Sequence, residues 1–168
     1  LDTSQIGALT ASQIAGIGTS QIQALTTTQA SVLTPTQATG LSTAQIQALE
    51  APDLAKLSTA VISGLTPTQL GALNNIQIGE LTTTQAGAVT AGQISALSPA
   101  QVAAIEAADF AKLTTSAIAA LSNSQAAALT PDQVAAMSTA QVAAIGAAQL
   151  GNLGADQIQA LTTDQLAA

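Results

Sequence analysis

The chain has no cysteine, histidine, tryptophan or tyrosine, a single phenylalanine (Phe110), a single methionine (Met137) and only two cationic side chains, Lys56 and Lys112. Each shortage closes a class of function. Without cysteine there is neither a disulfide nor a thiolate metal site, so stability must come from packing and hydrogen bonds. Without histidine no group titrates near neutrality as a general acid or base, and the many serines and threonines have no base beside them to build a hydrolase triad. The near absence of aromatics removes stacking platforms for nucleobases, and a net charge of −7 repels nucleic-acid phosphates and anionic lipid. Serine, threonine or glutamine interrupts every apolar stretch well short of the ~18 residues a membrane span needs. The chain is therefore expected to be no enzyme, to hold no cofactor or metal, to bind no nucleic acid and to insert in no membrane. It starts at Leu1 without a basic or apolar leader and in phase with its own repeat, as an excised piece of a longer chain or a processed product would.

What is present is one eight-residue unit, L-[ST]-x-x-Q-[IVLA]-x-A, repeated twenty-one times without a slip. Position one is Leu in sixteen units, with Ile17, Val89, Ile105, Met137 and Ile145 in the rest; position five is Gln in seventeen, and position six is apolar in all. A continuous helix would rotate the leucine row by about 80° per unit and give no buried face. A continuous strand would put positions one and six on opposite sides. The unit must bend within itself.

Position two shows where. Thr10, Thr26, Thr34, Ser42, Thr66, Thr82, Ser98 and Thr130 exemplify its Ser/Thr preference, and Asp2, Asn74, Gly18, Gly146 and Gly154 are also residues favoured at a helix N-cap. Three places on, Gln13, Gln29, Gln37, Gln45, Gln69, Gln85, Gln101 and Gln133 complete a capping box, in which hydroxyl and amide each satisfy an orphan N–H. Positions one and six then form the hydrophobic staple: Leu9 with Ile14, Leu41 with Ile46, Leu65 with Leu70, Leu97 with Val102. Pro35, Pro67, Pro99 and Pro131 fall at position three, the first helical residue, where proline costs least; Pro52 lies one place later. Each octad thus predicts one helix of about one and a half turns. Such a helix cannot survive alone, and burying one Leu and one Ile, worth roughly 3–6 kcal/mol, requires stacking on neighbours. The small residues at positions seven and eight allow close approach. The expected fold is an all-α solenoid of very short capped helices over 1–168, one continuous domain, with two, three or a non-integer number of octads per turn all open.

Two octads depart together, LEAPDLAK (49–56) and IEAADFAK (105–112), each followed by a unit without Gln, at Val61 and Ala117. Their separation suggests a 56-residue super-repeat, although 161–168, LTTDQLAA, does not continue it. Glu at the cap and Lys at the end complement the helix dipole, so these units read as solvated charge sets. The sharper alternative is a cation or partner contact by Glu50 and Asp53, repeated by Glu106 and Asp109; no EF-hand pattern accompanies them.

The octads LTTTQAGA, LSTAQIQA, LTPDQVAA and LSPAQVAA resemble repeats of very large, cysteine-free, acidic bacterial proteins labelled as haem-utilisation or adhesion exoproteins. The resemblance implies a secreted or surface-displayed bacterial segment. Its haem label finds no ligand beyond Met137, so haem binding is not expected. The leading expectation is a structural stalk, fibre, or matrix or surface-layer segment that associates with itself end to end or laterally, or with other matrix components, because Leu1 and the terminal Ala167 and Ala168 form no polar cap. The alternative is a module that binds a regular surface, ice or polysaccharide, through position-three threonines such as Thr27, Thr83, Thr115 and Thr163.

Overall fold

The computed structural model describes residues 1–167; Ala168, part of the expected stacking end, lies outside the described residues. Each octad folds as one short helix, from α1 (Thr3–Ala8) to α21 (Thr163–Leu166), twenty-one in all, and no strand occurs among the described residues. Every helix begins at position three or its equivalent, directly after the cap. The cap residue is extended, as at Thr34 (φ −93°, ψ 158°), and the residue before it is extended where the helix runs longest, as at Leu41 (φ −71°, ψ 140°). In those units two consecutive extended residues make the corner. The described chain has no positive-φ residue and no cis peptide, so the corners require no glycine.

The N–H of position one closes each unit by donating to the carbonyl of position six, as Leu41 to Ala38 at 3.1 Å. The chain then winds so that each helix packs against the third one along: α2 (Ala11–Ala15) against α5 (Pro35–Gly40), and α5 against α8 (Thr59–Gly64). Close approach explains the small residues. A Cβ on Gly71, at position seven, would stand 2.9 Å from the Ala96 carbonyl oxygen one turn later, and one on Gly40, at position eight, 2.9 Å from that of Ala11 one turn earlier. The side chains of positions one and six fill the interior as one cluster from Ile6 to Ile145.

Candidate functional site

The functional element is a seam that joins successive turns, and it is built from the glutamine at position five. In the octad of Gln37, Oε1 accepts the N–H of Thr34 at 2.8 Å while the Thr34 hydroxyl accepts the N–H of Gln37 at 3.3 Å, which completes the capping box. The same box closes at Thr10, Thr26, Ser42, Thr66, Thr82, Ser98 and Thr130 with their glutamines. Gly18, Gly146 and Gly154 have no side chain to offer, and keep only the half in which Gln accepts the cap N–H, as Gly18 to Gln21 at 2.9 Å.

The amide nitrogen of Gln37 turns the other way. Nε2 donates to the carbonyls of Ile6 (2.9 Å) and Leu9 (2.7 Å), which lie 31 and 28 residues earlier on the turn below. Gln85 repeats this toward Leu54 and Leu57, both at 2.8 Å, and Gln133 toward Val102 (2.9 Å) and Ile105 (2.6 Å). From Gln29 to Gln165, every position-five glutamine donates to the carbonyl 28 residues back. Adjoining turns thus meet 25 to 31 residues apart while each helix packs on the third one along, so a turn holds a little more than three octads, and octads seven apart lie about two turns apart. The open question of winding is answered by a non-integer number.

One side chain therefore starts its own helix and fastens it to the turn beneath. The amide is buried between turns, with Gln85 only 2% exposed, and its oxygen and both N–H groups are all engaged inside the protein. An amide can do this because Oε1 accepts while Nε2 donates, which an ionised carboxylate cannot match. Glutamate would serve a capping box equally well, yet it never occupies position five. That preference was visible in the sequence, but the capping box alone did not explain it.

The two unusual octads break the seam. Glu50 and Glu106 make no side-chain cap bond. Asp53 and Asp109, at the glutamine position, are 2% and 7% exposed, so the expectation of solvated charge sets is corrected: the aspartates face inward because position five points at the turn below. Burial pushes both carboxyls above the usual carboxylate range, and the nearby charge of Glu50 or Glu106 adds to it. Val61 and Ala117 in the next octads are fully buried and leave a second unbridged place. The 56-residue recurrence of these units is about two turns of the solenoid.

The same winding sorts the surface. The octads of Glu50 and Glu106 align with that of Asp164, and those of Glu80 and Asp132 lie beside them. Position three is Thr3, Thr59 and Thr115 in one row of octads and Thr27, Thr83 and Thr139 in another, with Asp2 the only charge in those six octads, although the helices of Thr27, Thr83 and Thr139 pack directly against those of Glu50, Glu106 and Asp164. Thr27, Thr83, Thr115 and Thr163 are all exposed. Among the described residues no three His, Cys, Asp or Glu side chains gather as metal ligands, and no helix is long and apolar enough to cross a membrane.

The family model of the ALTTAQ repeat matches residues 1–35, 46–83, 102–139 and 135–168, which is most of the chain. This chain belongs to the ALTTAQ repeat family. The six letters correspond here to positions eight, one, two, three, four and five, as in Ala24-Leu25-Thr26-Thr27-Thr28-Gln29: the corner, the cap and the seam glutamine. The ALTTAQ array also continues structurally through the stretches between the matches, where Ser42 with Gln45 and Thr90 with Gln93 close the same box. No curated protein matches the chain.

Proposed function

We propose that this repeat protein acts as a structural segment whose function is length: a stalk, fibre or matrix element with no catalytic role. The observation that supports it most is the uniform seam. Each turn is tied to the previous one at the same 28-residue interval, so adding octads lengthens the solenoid without changing its cross-section. The resemblance of its octads to repeats of adhesion-type bacterial exoproteins supports an extracellular or cell-surface setting.

End-to-end self-association is part of this proposal, because further octads, in more chain or in a second copy, would continue the same 28-residue register. Electron microscopy of the purified chain across a concentration series, with far-UV circular dichroism, tests this: helical spectra with rods that lengthen with concentration are expected, and helical particles of one fixed length at every concentration would refute end-to-end association.

The exposed threonines that recur at position three favour one second reading, a module that lies against a regular surface such as ice or polysaccharide. Thermal hysteresis that disappears in Thr27→Asp/Thr83→Asp would establish it.

A further inference from the structure

The seam glutamines show what position five must supply, namely a donor facing two carbonyls on the turn below. The same register sets Asp53 over the carbonyls of Ile22 and Leu25, 31 and 28 residues back, and Asp109 over those of Ile78 and Leu81. Asp53 is 2% exposed, and its Oδ2 is buried with no hydrogen-bond partner. An ionised carboxylate there would add a charged acceptor to a place already lined with acceptors and shut off from water. A carboxylic acid has the shape of a primary amide, with an O–H where the amide has an N–H.

We propose that Asp53 and Asp109 are proton-holding sites: each keeps its carboxyl protonated in the folded chain and donates that proton to the turn below, in place of the glutamine amide. The charged surroundings agree. Around Asp53 the helix below, Thr27–Ala30, carries no charge; the helix above, Asn75–Gly79, carries none and is followed by Glu80; its own octad adds Glu50 and Lys56. Around Asp109 the helix below, Thr83–Ala86, carries none, the helix above, Pro131–Ala136, carries Asp132, and its own octad adds Glu106 and Lys112. No ion pair with either lysine relieves the buried aspartates, and burial and the neighbouring glutamate push both carboxyls upward. The pairing one super-repeat apart gives the solenoid two acid-tightened joints.

The sign of the pH dependence follows. A carboxyl whose folded value lies above the unfolded one binds more protons when folded. Its stabilisation is complete below the ordinary unfolded value near ~3.9 and is lost as pH rises through the raised folded value. Lowering pH from 7 toward 4 should therefore raise the melting midpoint of the whole chain relative to Asp53→Gln/Asp109→Gln, whose consensus side chains donate at every pH. Asp53→Asn/Asp109→Asn, which keeps the length and fixes a donor, should likewise lose the acid-dependent gain. Side-chain carboxyl NMR of the intact chain should show two resonances titrating above the ordinary range. Equal pH slopes in wild type and both variants, or ordinary titration of both carboxyls, would overturn the proposal. So would a rise in wild-type melting midpoint on adding millimolar calcium at pH 7 that the glutamine variant lacks, since the site would then hold a cation.

Discussion

At the scale of the residue, position five carries more of the structure than any other. Gln85 makes bonds to its cap and to two carbonyls one turn away, whereas Gln13, in the first turn, has only its cap to serve. Replacing each by alanine separates the two duties. Gln13→Ala should cost ~1 kcal/mol, the worth of a lost cap interaction, and Gln85→Ala about 2–4 kcal/mol, because buried carbonyls lose their donor and a cavity opens. Gln85→Glu should be no milder than Gln85→Ala at alkaline pH, where an ionised carboxylate faces carbonyls, and milder in acid, where the carboxyl can donate. Urea denaturation of the three variants checks the order. Sequence reasoning found the cap and its glutamine because both lie within one octad. It missed the second duty, and with it the burial of Asp53 and Asp109, because the partners are 28 and 31 residues away and only the winding brings them together.

At the scale of the element, the single helix per octad was legible almost to the residue. Capping box, staple and N-terminal proline are local devices, and four signals in one phase leave little for tertiary context to override. The small residues at positions seven and eight were also legible as sites of close approach, but not which backbone approaches. Gly71 and Gly7 distinguish the two cases, since both lie in helices at position seven. Nothing lies within 4 Å of a Cβ on Gly7, so Gly7→Ala should stabilise by roughly 0.5–1 kcal/mol through helix propensity. A Cβ on Gly71 meets a backbone oxygen at 2.9 Å, and Gly71→Ala should destabilise by about 1–3 kcal/mol as the adjoining turn is displaced. Opposite shifts in melting midpoint are the expected result.

At the scale of the whole molecule, the octad is the unit of addition and the turn is not. Deleting 121–128 removes one complete octad and brings Gln133 to 28 residues beyond Leu97, so the seam closes again and helicity per residue should stay unchanged by circular dichroism. Deleting 121–124 removes a corner and its cap but leaves Gln125, and helicity and cooperativity should both fall. The number of octads per turn could not be read from a spacing that is the same at every copy; it depends on how steeply each corner bends, which no single unit records.

The offset of the seam has a mechanical consequence. Because Gln37 bonds both Ile6 and Leu9, it spans the corner between two units of the course below, as bricks in a running bond cover the joints beneath them. No straight joint runs up the wall, so a pull along the axis or a sideways shear is passed from each unit to two others and spread around the circumference.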